Sequence, residues 1–268
     1  MLAIPLYDDT PRLRVPVVTY GLIGACALVF LWQSGLSPEA GNAAALSFGM
    51  VPAVLFGHAE LPRALQIVPA WATTITCMFL HESWLHLGGN MLYLWIFGKG
   101  VESALGAPRY IALYLLCGVI AALTQASVSP ASTVPMIGAS GAIAGVLGAY
   151  LVLYPRSNVV VFIWVIILVR LLTVPAVILL GIWFLLQLLS ASAAAADEAG
   201  VAFWAHVGGF IAGMALVLVL RRRDVAMFQP RRTVSFQVGR PRDARTGFGR
   251  GSVPRAGRTM PRSRGPWG

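Results

Sequence analysis

The sequence predicts an all-α polytopic membrane protein, a bundle of six transmembrane helices, and three observations predict it. Hydrophobic residues make up 57% of the chain and charged ones only 11%, whereas soluble domains carry about a quarter charged. Six mainly apolar runs stand out, five of them near the length that the roughly 30 Å hydrocarbon core of a bilayer demands of a helix and the fourth shorter. Arginine and lysine fall almost wholly on one set of alternating loops.

Taken in order, the runs are Val17 to Leu36, Leu87 to Leu105, Tyr110 to Ser127, Ser140 to Tyr154, Thr173 to Leu189 and Phe203 to Leu220. The first follows Arg12 and Arg14 as a signal peptide would, but it is long and no small-residue cleavage site closely follows it, so an uncleaved span is expected. The stretch from Val159 to Leu189 would be about 46 Å long as a helix, too long for one crossing, and it contains Arg170 and Pro175. It is therefore divided: Val159 to Leu172 is expected along the interface, and the span begins near Thr173.

Arg12, Arg14, Lys99, Arg109, Arg156, Arg170 and the Arg221 cluster then share one side, and Arg63 alone lies on the other. The positive-inside rule makes both termini cytoplasmic. The net charge of +10 is a property of the chain's end, because thirteen of the twenty basic residues, all arginine, lie between Arg221 and Arg264. That segment is rich in Gly, Pro and Ser and poor in apolar residues, so 223–268 is expected to be a disordered cytoplasmic tail facing anionic lipid. No nucleic acid is expected as a partner. Residues 1–16 form a cytoplasmic N-terminal segment and 17–222 the six-span domain. The three cysteines, Cys26, Cys77 and Cys117, have neither disulfide-framework nor metal-site spacing and read as small buried hydrophobes.

Polar side chains inside spans are expensive, and each is a functional candidate. His81, His86 and Asn90 stand at the start of span two, Ser140 at the start of span four and His206 near the start of span six. These three spans run in the same direction, so all five residues fall in the outer part of the membrane. Span four, at about 22 Å, is shorter than the hydrocarbon is thick. Its start is therefore recessed, and Ser127 to Ala139 must descend as irregular backbone lining a wet cavity with Ser140 at its floor. Gly138-Ala139-Ser140-Gly141 reads as a tight turn opening a helix, whose unpaired N–H groups suit a developing oxyanion.

Small residues at four-residue spacing allow close helix approach. Gly141, Gly145 and Ala149 form such a ridge on span four, and Ala205, Gly209 and Gly213 form one on span six. Packing the ridges brings His206 against Ser140; the alternative is that the ridges only pack and Ser140 caps its helix. A zinc reading of His81 and His86 fails on spacing, since residues five apart lie about 140° round a helix and cannot readily clamp one ion. His86 and Asn90, four apart, share a face and could complete an oxyanion hole begun by the N–H groups of Ala139 and Ser140. His81 is read as a structural histidine satisfied by a loop carbonyl.

The pattern His81-x4-His86-x3-Asn90, then Gly138-x-Ser140-Gly141, then Ala205-His206-x2-Gly209 resembles the rhomboid intramembrane proteases from about Trp71 to Leu220. The resemblance implies a rhomboid-like bundle and a serine–histidine dyad with no acidic third member. It also implies oxyanion assistance from His86 and Asn90, a first external loop partly in the membrane, and a mobile fifth span that admits a transmembrane substrate. Gly138, Gly141, Gly209 and His81 would be structural near the site, and Glu102 structural at the opposite end. Two departures are that Trp71 is followed by Ala72 where many members have arginine, and that Ala144 stands where a residue stacking on the histidine is often aromatic.

The expected function is thus intramembrane serine endopeptidase, a peptide-bond hydrolase needing neither metal nor organic cofactor. Its expected partners are single-span membrane-protein substrates and the bilayer, and its expected place a bacterial cytoplasmic membrane. The alternatives are an inactive rhomboid-like protein that binds membrane clients, which would require loss of Ser140 or His206, and a small transporter, for which no internal repeat is found.

Overall fold

A computed structural model of the chain describes residues 2–10, 15–165, 168–193 and 202–230. Strand β1 (Leu2–Asp8) precedes helix α1 (Val17–Ser34). Short pieces follow: α2 (Pro38–Phe48), α3 (Pro52–Leu55), 3-10 turns at Arg63–Leu65, Ala70–Ala72 and Cys77–Phe79, and α4 (Thr73–Thr76). Helix α5 (Trp84–Tyr93) continues through a π turn, Leu94–Gly98, into α6 (Lys99–Leu105). Then come α7 (Ala107–Val128), α8 (Ser140–Leu153), strands β2 (Asn158–Val165) and β3 (Leu168–Pro175), α9 (Ala176–Ala193) and α10 (Phe203–Leu220). The chain divides into 1–232 and 233–268, the latter outside the described residues.

The fold is the helical membrane bundle that the sequence predicts, with a helix in each of the six apolar runs. Helices α1, α7, α9 and α10 are each long and apolar enough to cross a membrane. Helix α8 is shorter, 14 residues or about 21 Å, and every side chain in it except Ser140 and Leu151 is buried. Outward positions of α1 and α9 expose Leu28, Leu31, Ile182 and Leu185, each by more than half. Such apolar faces suit hydrocarbon rather than water. The three cysteines are free and buried.

Glycine decides the centre of the bundle. A Cβ at Gly209 would collide with the carbonyl of Gly141, and one at Gly213 with the carbonyl of Gly145, so α8 and α10 touch backbone to backbone along the two small-residue ridges. Helix α7 closes the other side of α8, with Ala121 on Gly141 and Cys117 on Gly145.

One expected element is corrected. Val159 to Leu172, expected as an interfacial helix, is instead most of an antiparallel hairpin, β2 pairing β3 from Asn158↔Pro175 to Val165↔Leu168. β1 adds antiparallel to β2, from Leu2↔Trp164 to Asp8↔Val159, which gives the order β1-β2-β3. Val159, Val160, Val161, Ile163 and Val165 are β-branched and stiff at χ1, which favours a pleated strand over a helix. Apolar content alone could not separate the two. The sheet is tied down by polar contacts: Tyr150 donates to the Asp8 carboxylate at 2.8 Å, and Asn158 donates to Asp9 from both backbone N and Nδ2 at 2.8 Å.

At the same end, Glu102 accepts from Val18 N (2.9 Å), Thr19 N (2.8 Å) and the Thr19 hydroxyl (2.7 Å). Helix α1 starts after Pro16 with no side-chain cap of its own, so a carboxylate from α6 supplies the acceptor. Of the segment expected as a disordered tail, 223–230 are described: Phe228 N–H donates to the Val152 carbonyl and Gln229 N–H to that of Leu153. The remainder lies outside the described residues.

Candidate active site

Ser140 is the first residue of α8 and His206 lies in the first turn of α10. Flush packing of the glycine ridges sets both at the same end of adjacent helices, and Ser140 Oγ is 2.7 Å from His206 Nε2. Ser140 makes no side-chain cap bond to its own helix, whose N-cap is Ala139, so capping does not account for it. His206 is 8% exposed.

The sequence leaves open what meets His206 once Ala144 replaces an aromatic, and in the structure two side chains of α9 do. Trp183 lies against the imidazole with ring centroids 6.0 Å apart and 38° between planes. Gln187 Oε1 is 2.6 Å from His206 Nδ1. Trp183 and Phe184 also pack on Phe210, one turn further along α10. Neither Trp183 nor Gln187 was singled out from the sequence, although an amide in an otherwise apolar span is a usable signal.

Irregular backbone leads into Ser140, as the short fourth span required. Helix α7 ends at Val128, Met136 forms a two-bond bridge with Met50, and Gly138 N–H donates to the Cys77 carbonyl at 2.8 Å. Gly138 has φ +124°, a conformation natural to glycine, and a Cβ there would come within 2.8 Å of the His86 ring. Backbone and imidazole therefore meet beside Ser140.

His86 and Asn90 are both on α5, and both line a cavity with Ser140. Asn90 Nδ2 is buried without a hydrogen-bond partner among the described residues, and burial makes an unpaired donor costly. The Ser140 N–H belongs to the first turn of α8, where amides lack an intrahelical acceptor. His81 Nδ1 is 3.3 Å from the Phe79 carbonyl, and its ring meets His86 edge-on at 5.2 Å. No group of three His, Cys, Asp or Glu side chains able to hold a metal occurs among the described residues.

Two cavities meet at Ser140. One, of about 280 Å³, has an apolar wall of Tyr93, Ile143, Ala144, Leu147 and Trp183. The other, of about 570 Å³, lies under Pro135–Gly138 and reaches Glu82 and Ser83. An acyl group on Ser140 could thus be approached by water from one side while a side chain occupies the other.

A multi-pass helical membrane bundle in which a cavity-lining serine meets a histidine is the class that fold and site define. The rhomboid domain family matches residues 68–223, and the chain belongs to the rhomboid family. It is 32% identical over 125 residues to "Rhomboid protein 1, mitochondrial" of Saccharomyces cerevisiae, covering 41% of this chain and 36% of that protein. It is 33% identical over 164 residues to "Rhomboid-like protein 11, chloroplastic" of Arabidopsis thaliana, covering 58% and 54%. With the rhomboid protease GluP of Bacillus subtilis it shares 38% identity over 98 residues, covering 37% and 18%. The matched stretch therefore spans between about a fifth and a half of these relatives' own lengths.

Proposed function

We propose that the chain is an intramembrane serine endopeptidase that cleaves transmembrane segments through a Ser140–His206 dyad. The observation that carries this reading is the 2.7 Å contact of His206 Nε2 with the Oγ of Ser140, a residue that lines both cavities. The name of GluP as a rhomboid protease supports it. Ser140 Oγ attacks the peptide carbonyl carbon as His206 Nε2 takes the hydroxyl proton. The carbonyl oxygen becomes an oxyanion held by the N–H groups of Ser140 and Ala139, by His86 and by Asn90 Nδ2.

Collapse breaks the C–N bond, and His206 passes the same proton to the leaving amine. Water from the larger cavity then attacks the acyl-serine and gives a proton to His206, which returns it to Ser140 Oγ as the C–Oγ bond breaks, releasing a carboxylic acid and free Ser140. Ser140, His206 and water suffice for each proton transfer.

The protease domain is proposed as 17–222, its substrates as single-span membrane proteins, and its place as a bacterial cell membrane with both termini cytoplasmic. The arginine-rich tail is proposed to meet anionic lipid there. The alternative is a rhomboid-like protein that binds membrane clients without cutting them.

Cleavage of a single-span reporter protein in liposomes separates the two. Wild type should cut, while Ser140→Ala and His206→Ala should each fall by about 10⁴-fold or more. Unchanged cleavage by Ser140→Ala would sink the mechanism. A folded wild type that binds the reporter without cutting it would favour the client-binding alternative.

A further inference from the structure

We infer that Gln187 is a positioning residue of the site: its side-chain carbonyl fixes the tautomer and orientation of His206, so that the dyad is completed from a third helix, α9. The inference rests on the dyad reading above.

The chemistry begins with what the amide oxygen can do. Gln187 Oε1 accepts and cannot donate, and at 2.6 Å from Nδ1 it requires the proton of a neutral His206 to sit on Nδ1. Nε2 is then left with its lone pair, and Nε2 is the atom 2.7 Å from Ser140 Oγ. That is the tautomer a general base needs, because Nε2 must receive the hydroxyl proton. When Nε2 takes that proton the ring becomes cationic, and the amide oxygen then faces an N–H bearing positive charge, a stronger bond than before transfer.

The support is confined to one stripe of α9. Trp183 and Gln187 lie four residues apart on one face, and both meet His206, the first over the ring and the second at Nδ1. Phe184 stacks on Phe210 at 4.6 Å and sets the register of α9 against α10. Outside this stripe α9 is largely exposed, with Val177, Ile178, Ile182, Leu185, Leu186 and Leu189 facing outward. The same stripe buries Ala176, Leu180 and Ala191, so the packing that seats α9 on the bundle also seats the histidine's partner.

Two variants separate positioning from packing. Gln187→Leu keeps the volume and removes the acceptor, whereas Gln187→Glu keeps an acceptor at the same reach. Losing the partner that orients a metal-bound imidazole typically costs about 10- to 100-fold, and by the same orienting role reporter cleavage by Gln187→Leu should fall by about that factor in kcat with KM little changed. Gln187→Glu should restore most of the rate.

Protein with ¹⁵N-labelled histidine gives a readout independent of turnover. Wild type should show His206 Nε2 unprotonated and Nδ1 protonated, and Gln187→Leu should show the tautomers mixed. Equal kcat in wild type and Gln187→Leu, equal losses in Gln187→Leu and Gln187→Glu, or an unchanged nitrogen spectrum in Gln187→Leu would each overturn the inference. If wild type fails to cleave, the proposed function has failed, and the nitrogen spectrum still decides the role of Gln187.

Discussion

Gly209 of α10 lies directly against the backbone carbonyl of Gly141 of α8, beside Ser140 on one helix and one turn past His206 on the other. This contact sets the spacing of Ser140 and His206, because there is no side chain between the helices to adjust. Gly209→Ala should therefore push α10 away, lower stability by about 1–3 kcal/mol and reduce cleavage further than the stability loss explains. Gly21→Ala on α1, where a Cβ meets nothing within 4 Å, is the matched control and should be neutral or stabilising by up to about 1 kcal/mol. Thermal unfolding in detergent beside the cleavage assay checks both.

Glu102 is a support far along the chain from the dyad. Its carboxylate satisfies two backbone N–H groups and a hydroxyl at the start of α1, and removing it leaves buried donors unpaired. Glu102→Ala should destabilise by roughly 1–3 kcal/mol or more, with kcat of the folded fraction preserved. Unfolding curves together with active-site titration check this.

Asn90 should act on the transition state alone. Its Nδ2 has no protein partner among the described residues, so Asn90→Ala removes no hydrogen bond from that donor to them. Loss of an oxyanion donor usually lowers kcat by about 10²–10³, and KM should change little. Steady-state cleavage across a range of reporter concentrations in liposomes tests it.

Much of this arrangement was legible in the sequence because bilayers restrict what a chain can do. The limits of α8 and the irregular descent before it followed from a span too short for the hydrocarbon. The Ser140–His206 pairing followed from two small-residue ridges whose packing leaves little freedom. The hairpin at Asn158–Pro175 was not legible, because its residues are as apolar as those of a helix and β1, the strand that pairs with it, is more than 140 residues away. The π turn at Leu94–Gly98 has no evident marker in the residues that form it. Gln187 is not legible for a different reason: a lone amide on α9 carries no acid–base chemistry of its own, and only the fold brings it to His206 Nδ1.

The central claim is that Ser140 is a nucleophile activated by His206, and reaction with a fluorophosphonate probe followed by mass spectrometry of the adduct tests it most directly. The account predicts one phosphonylated residue, Ser140, in wild type, no adduct in Ser140→Ala and greatly slowed reaction in His206→Ala. A folded wild type that does not react, or an adduct at Ser140 that forms equally fast without His206, would contradict it.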